Sequence, residues 1–412
     1  MKILHVIHSV DPRSGGPSHA IRSLLSAQIA AGKDVSLLAT TTQSAEPWEP
    51  RERYVEIMLA DPSFFGAEVH LGRAYGRRHP LNRFAFSPDC NRWLHRTLSE
   101  ANTRPDLVHI HGTFSHLTNS AARAARKFRV PYIVRPAGNL DPQCFRMGSH
   151  WLKQIFTQFT LRTDLCHAAF VHAMSEDEEQ AILSWLPENR IHVIPHGIAI
   201  PEINDDNSRQ ELYARFPELR GKRVLLFLGR IAAIKRPEVA VRAMAQLRLD
   251  FPDSVLLIAG HDAGHLSETR DAVESCGLTD DIVFSGFLSG RLKQAALTVA
   301  DVFVLPSIHE NFGVAVVEAM AHGTPVVVTP EVATHVFVDN SGAGLTVPGN
   351  ADAFAEAIAR ILSANPMEMG LRGRQYVEKH LTWPVVETEL TSFYKMAIRQ
   401  TRRHISPELN HD

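Results

Sequence analysis

Short apolar runs, each followed by a loop and then a helical periodicity, recur along this chain and leave few folds open to it. Ile3 to Val10, Val224 to Leu228, Val302 to Leu305 and Val326 to Thr329 have the length and near-continuous hydrophobicity of strands buried on both faces. Between such runs lie segments with helical spacing, as in Ile21, Leu24, Leu25, Gln28 and Ile29. Strands that alternate with helices call for parallel sheets covered on both sides. The pattern runs through twice. Its first pass predicts further strands over 35–40, 107–111, 131–134, 168–173 and 191–194, with helices over 117–128, 149–163 and 176–186. Ser18 is placed to cap the first helix, and Ser175 with Glu178 forms a capping box for the last. No element is predicted over 42–87, which is broken by prolines. Residues 201–221 are polar and proline-punctuated, a linker or a peripheral helix. The second pass adds strands over 255–259, 282–285 and 344–347, and helices over 237–249, 351–363, 367–380 and from Trp383 to about Arg399. At 412 residues the chain exceeds one ordinary core and suits two domains. They are expected over 1–199 and 200–384, with a helix at 385–400 crossing back to the first. Both read as doubly wound α/β units, which bind ligands at the carboxyl ends of their strands.

Composition narrows the classes. Hydrophobic residues make up 44% and charged residues 21%, as in a soluble globular protein, and no apolar run reaches the length of a membrane span. The start of the chain reads directly as a strand, without a signal-peptide layout. Four cysteines (Cys90, Cys144, Cys166, Cys276) are scattered with no CxxC pair, so neither a zinc site nor a disulfide framework is expected, and a cytoplasmic location fits. A net charge of −2 argues against a nucleic-acid partner. Residues 1–199 nevertheless hold 22 Lys+Arg against 18 Asp+Glu, leaving 21 against 27 for the rest. The basic surplus gathers at Arg73, Arg77, Arg78, Arg83, Arg92 and Arg96. A solvated surface accounts for it; peripheral contact with anionic lipid or a lipid-diphosphate acceptor is the alternative.

The densest chemistry lies between two predicted strands, in His309-Glu310-Asn311-Phe312-Gly313-Val314-Ala315-Val316-Val317-Glu318-Ala319-Met320. A helix over the whole spacing would set Glu310 and Glu318 roughly 12 Å apart along its axis, about the span from a sugar ring to a ribose across a diphosphate. The N–H groups of Phe312, Gly313 and Val314 would then face an anion at the helix start. Exposed acids are common and usually carry no function, but Glu318 sits in a segment apolar nearly all round. That implies burial, and a buried glutamate needs a partner.

This arrangement resembles the E-x7-E motif of retaining glycosyltransferases of family 4, carried here by Glu310, Phe312, Gly313, Glu318, Ala319, Gly323, Pro325 and Val326. The resemblance implies the GT-B fold, with two Rossmann-like domains facing a central cleft, and a nucleoside-diphosphate sugar as donor. Arg230 and Lys235, in Gly229-Arg230-Ile231-Ala232-Ala233-Ile234-Lys235-Arg236, are two cations at a strand end, where they suit a diphosphate whose charge grows as the sugar leaves. The family places its diphosphate-binding arginine and lysine in the same context; Arg236 is an adjacent competitor for the role. Gly15 and Gly16 follow the first strand. A tight turn explains them, but glycines also admit an anion to the backbone, and the family's glycine loop stands here. His109-Ile110-His111 ends a strand with both rings on one face. The resemblance favours His111 as the one facing the donor sugar, by hydrogen bonding and not metal ligation. Arg135 to Pro142 reads like a segment of relatives that build bacterial surface polysaccharides, with Ala137 where many carry histidine.

The expected roles follow from the resemblance. Arg230, Lys235, Glu310 and His111 act at the reacting sugar and diphosphate. Gly15, Gly16, Phe312, Gly313, Val314 and Glu318 bind the donor, Glu318 at the ribose. Phe287-Leu288 is the place expected for the base. No metal and no cofactor beyond the donor are implied, and the acceptor is a glycan or a lipid-linked hydroxyl. Rival readings are a nucleotide-sugar epimerase of GT-B-like fold and a non-catalytic nucleotide-sugar-binding subunit.

Overall fold

The computed structural model of the chain describes residues 1–12, 16–43, 49–74, 86–141, 160–201 and 206–405. Gly15, Arg77, Arg78, Arg83, Cys144 and most of the helix expected over 149–163 lie outside them. The chain divides into two compact units, Met1–Gly197 with Trp383–Asp412, and Ile198–Thr382.

The first unit is built on a parallel sheet of order β3-β2-β1-β4-β5-β6-β7. Its strands are β1 (Lys2–Ser9), β2 (Asp34–Thr40), β3 (Glu68–Gly72), β4 (Leu107–His111), β5 (Tyr132–Arg135), β6 (Phe170–Ala173) and β7 (Ile191–Val193). Alternation along β1 and β4 sorts their side chains between two cores. Leu4, Val6, Val108 and Ile110 pack with Leu94, Leu98 and Leu117. Ile3, Ile7 and Leu107 face the other way, onto Ile21, Leu24 and Leu25 and onto Val386, Leu390, Phe393 and Tyr394. Those last four come from the final helix, Trp383–Ile405, whose apolar positions recur at helical spacing. Burying each contributes about 1.5–3 kcal/mol. The register pairs His5 with His109, so by alternation His5, His109 and His111 stand on the face the final helix covers.

The second unit repeats the plan in six strands, β8 (Arg223–Leu228), β9 (Ser254–Ala259), β10 (Ile282–Gly286), β11 (Val302–Leu305), β12 (Val326–Val328) and β13 (Gly344–Thr346), ordered β10-β9-β8-β11-β12-β13. In each sheet the order reverses once, between β1 and β4 and between β8 and β11. These switch points open the crevices in which doubly wound sheets bind ligands.

Two local expectations are corrected. The span 42–87 is not irregular throughout, for it holds a helix at Arg51–Leu59, a tight turn at Pro62–Phe64 and the edge strand β3. The helix lacks a side-chain cap, and β3 exists by pairing with β2, so neither leaves a strong local signal. Ser18 is not a cap, because the helix begins at Gly16; its hydroxyl donates to the Ser9 carbonyl at 3.1 Å. Ser175 caps its helix as expected, its hydroxyl accepting from the Glu178 N–H at 3.2 Å. The Glu178 carboxylate accepts from the N–H groups of Gly138 at 2.6 Å and Met174 at 2.8 Å, pinning the turn after β5. Among the described residues no helix is long and apolar enough to cross a membrane.

Candidate active site

The loop after β8 carries Arg230 and Lys235. Lys235 ends a short turn, Ala233–Lys235, and its Nζ donates to Glu310 Oε1. Both side chains are largely buried, 13% and 18% exposed, so the pair is shielded from the solvent that weakens surface ion pairs. Gly229 makes room for it: a Cβ there would stand 3.1 Å from Lys235 Cδ and 3.2 Å from Nζ. Arg230 is exposed, and among the described residues no acid pairs with it. Arg236 is occupied elsewhere. It sits in the left-handed region at φ 50°, and its guanidinium donates to the Gly349 carbonyl.

The loop after β11 delivers the glutamates differently from the single helix expected. Glu310 lies in an extended bridge with Val332. Its N–H donates to the Glu331 carbonyl and its own carbonyl accepts from Ala333, both at 3.0 Å. The helix begins only at Val314 and runs to Ala321, with Gly313 as its N-cap at φ 76° and no side-chain cap. The eight-residue spacing is therefore part loop and part helix, and a helical axial distance does not apply. A left-handed φ favours glycine, and a Cβ at Gly313 would also come within 3.0 Å of Val332 and 3.1 Å of Thr334. The uncapped start leaves N–H groups and the positive dipole end for an anion. The Phe312 ring is buried against Phe337, with centroids 6.1 Å apart.

Glu318 has the partner its surroundings demand. Lys293, on the helix Gly290–Val299, donates from Nζ to Glu318 Oε1 at 2.6 Å. The sequence reading missed Lys293; the signal was Glu318 itself, an acid in an apolar helix. Each glutamate of the motif is thus held by a lysine from a different element. Phe287, after β10, is 44% exposed while Leu288 is buried, and the Phe287 ring stands edge-on to His261 at 6.1 Å.

In the first unit Gly16 opens its helix, exposed, and a Cβ there would meet nothing within 4 Å. His111 is buried at the end of β4, its Nε2 3.0 Å from His5 Nδ1. His109 Nδ1 lies 2.9 Å from the Tyr394 hydroxyl, which marks it as the histidine tied to the final helix. Burial first, and then neighbouring histidines and Arg135, hold both rings well below the ordinary histidine range; both are neutral. The ring nitrogens of His5, His109 and His111 come within 4.8 Å of one another, close enough to hold a metal ion, and His5 Nδ1 and His111 Nε2 lie at hydrogen-bond distance. Arg135 is buried, with burial lowering it to about 10; its guanidinium donates to Met174 Sδ. The Pro195-His196-Gly197 turn packs on Trp383, where a Cβ at Gly197 would meet the indole at 2.5 Å.

Two Rossmann-like units, each built on a parallel sheet, are the fold of the GT-B class of glycosyltransferases. The Anabaena HepE structure, solved in complex with UDP and glucose, superposes over 96% of this chain and 99% of its own with a TM-score of 0.73 at 17% identity. Residues 15–197 match the glycosyl transferase 4-like domain, and residues 208–378 match glycosyl transferases group 1. The chain belongs to the family 4 type of GT-B glycosyltransferase. An uncharacterized glycosyltransferase of Methanocaldococcus jannaschii is 29% identical over 72% of this chain and 77% of its own length. A D-inositol 3-phosphate glycosyltransferase of Stackebrandtia nassauensis is 26% identical over 73% and 70%.

Proposed function

We propose that this glycosyltransferase is retaining and metal-independent, and that it moves a sugar from a nucleoside-diphosphate donor to a glycan or lipid-linked hydroxyl in surface polysaccharide synthesis. The observation that carries the donor assignment is the Lys235–Glu310 pair at the β8/β11 switch point, beside an uncapped helix start at Gly313. On this reading Lys235, Arg230 and the Gly313 helix start bind the diphosphate. Glu310 accepts from hydroxyls of the donor sugar, Glu318 from those of the ribose, and His111 faces the reacting sugar. Gly15 and Gly16 supply backbone N–H groups to the donor. The acceptor hydroxyl attacks the anomeric carbon from the face the diphosphate leaves. A C–O bond forms as the sugar–phosphate bond breaks, and the departing phosphate oxygen takes the proton. Fixed positive charge stabilises that leaving group, which is worth roughly 10²–10³ in rate per donor.

The work is assigned to the cytoplasmic face of a membrane, with peripheral contact through the arginine-rich segment. Solved relatives with UDP and UDP-glucose make uridine the first base to test. A thermal-shift panel of UDP-, GDP- and ADP-sugars, followed by transfer to candidate acceptors in chelator, tests the whole reading. Stabilisation by one donor and a product that keeps the donor's anomeric configuration are expected. Inversion, or loss of transfer in chelator, would overturn the mechanism.

A further inference from the structure

Six buried polar residues of the first unit, His172, His109, Tyr394, Gln28, His5 and His111, form one chain of hydrogen bonds, and its donor directions are fixed from one end. His172 Nε2 lies 2.9 Å from the Ile194 carbonyl oxygen. A carbonyl only accepts, so His172 carries its proton on Nε2, and a neutral ring then has a bare Nδ1. That Nδ1 faces His109 Nε2 at 3.4 Å, so His109 donates from Nε2 and its own Nδ1 is bare. Its neighbour at 2.9 Å is the Tyr394 hydroxyl, which must spend its only proton there. In its 3.0 Å contact with Gln28, Tyr394 can therefore only accept, which turns the Gln28 amide nitrogen toward it. Gln28 Oε1 is left to face His5 Nε2 at 2.7 Å, so His5 donates from Nε2. His5 Nδ1, now bare, receives the proton of His111 Nε2 at 3.0 Å.

Every ring on this path is buried, and desolvation is the largest cause holding each neutral, lowering His5 to about 4 and His172 to about 3. Arg135, whose charge reaches His5, His109, His111, His172 and His196, acts in the same direction. Neutrality makes the logic strict, because an imidazolium would donate from both nitrogens and break the order.

We propose that this relay, anchored at the Ile194 carbonyl and passing through Tyr394, Gln28 and His5, fixes His111 as the Nε2–H tautomer and so presents its Nδ1 as a hydrogen-bond acceptor. The proposal rests on the reading above, that His111 faces the substrate. There His111 would accept from a sugar or acceptor hydroxyl, and would have no proton to offer a phosphate oxygen. Tyr394, Gln28 and His5 are positioning residues that act through it. The final helix thereby contributes to the chemistry without touching it.

Imidazole nitrogen spectra of the full chain, labelled with ¹⁵N at histidine and assigned by single His→Gln variants, test this without reference to activity. His5, His109, His111 and His172 are all expected as Nε2–H tautomers. Tyr394→Phe cuts the relay at its centre. His172 should keep its tautomer, His5 and His111 should become mixtures, and turnover should fall about 3- to 10-fold with little change in donor KM. Gln28→Leu makes the same cut if Tyr394→Phe does not fold. An Nδ1–H or imidazolium His111 in the wild type, or an unmoved His111 tautomer after the relay is cut, would overturn the proposal. Absence of sugar transfer by the wild-type chain would instead sink the functional reading, leaving the spectra to decide the relay.

Discussion

The two units share a strand order and put opposite chemistry at their switch points. Beside β1 and β4 the first unit holds neutral histidines in a hydrogen-bonded chain that ends on a carbonyl. Beside β8 and β11 the second holds lysine–glutamate pairs next to an uncapped helix start. The neutral side is suited to reading hydroxyls, whose partners must be specified by tautomer and direction. The charged side is suited to an anion, whose recognition needs fixed positive charge more than direction. One topology serves both because the strand ends position the groups and the side chains choose the chemistry.

The contrast breaks most readily at Lys235. Lys235→Ala should lower transfer by roughly 10²–10³-fold, with the fold retained by circular dichroism; near wild-type turnover would show that the charged side does not grip the leaving group. Acid should separate the units next. His5 and His172 have folded values of about 4 and about 3 against an ordinary 6.5. Below pH 6.5 the unfolded chain takes up protons that the folded chain refuses, so stability falls as pH drops from 6.5 toward about 4. All five tryptophans (48, 93, 151, 185 and 383) belong to the first unit, and their fluorescence should show its Tm falling by about 10 °C or more between pH 7 and 5. A flat profile would mean the histidines are not held neutral.

Smaller effects sharpen the comparison. Glu318→Gln should weaken binding of the free nucleoside diphosphate by about 10-fold or more and change the chemical step less; unchanged affinity in a titration rules out the ribose assignment. Gly313→Ala forces a Cβ into a left-handed position already crowded by Val332 and Thr334, and should cost about 1–3 kcal/mol in chemical denaturation. The smallest is Lys293→Met. It keeps the stem's packing but leaves Glu318 without its ammonium, and a loss of a few-fold in nucleotide affinity is expected, read by the same titration.

Much of this was legible in residues near one another in sequence. The strand–helix alternation, the motif around Gly313 and the Gly229–Lys235 loop are local patterns, and local patterns survive in the order of residues. Lys293 was not legible, because the acid it pairs with lies 25 positions away and nothing in a solvated-looking lysine announces a partner. Nor was β3, a short edge strand that exists because β2 offers it hydrogen bonds. The expected helix from Glu310 to Glu318 failed for a definable reason. Glu310 takes its backbone partners from residues 331 and 333, a long-range bridge that outweighs helical propensity.

By itself, then, the order of amino acids determined two doubly wound domains, the loops at their strand ends and the residue types able to meet a nucleotide-sugar, because hydrophobic period and turn chemistry are short-range. The tertiary structure alone decided which lysine meets which glutamate, that Arg236 donates to Gly349, and that the final helix brings Tyr394 to His109, 285 positions earlier. Pairing and proton direction depend on distances across the fold, and only a packed interior fixes those.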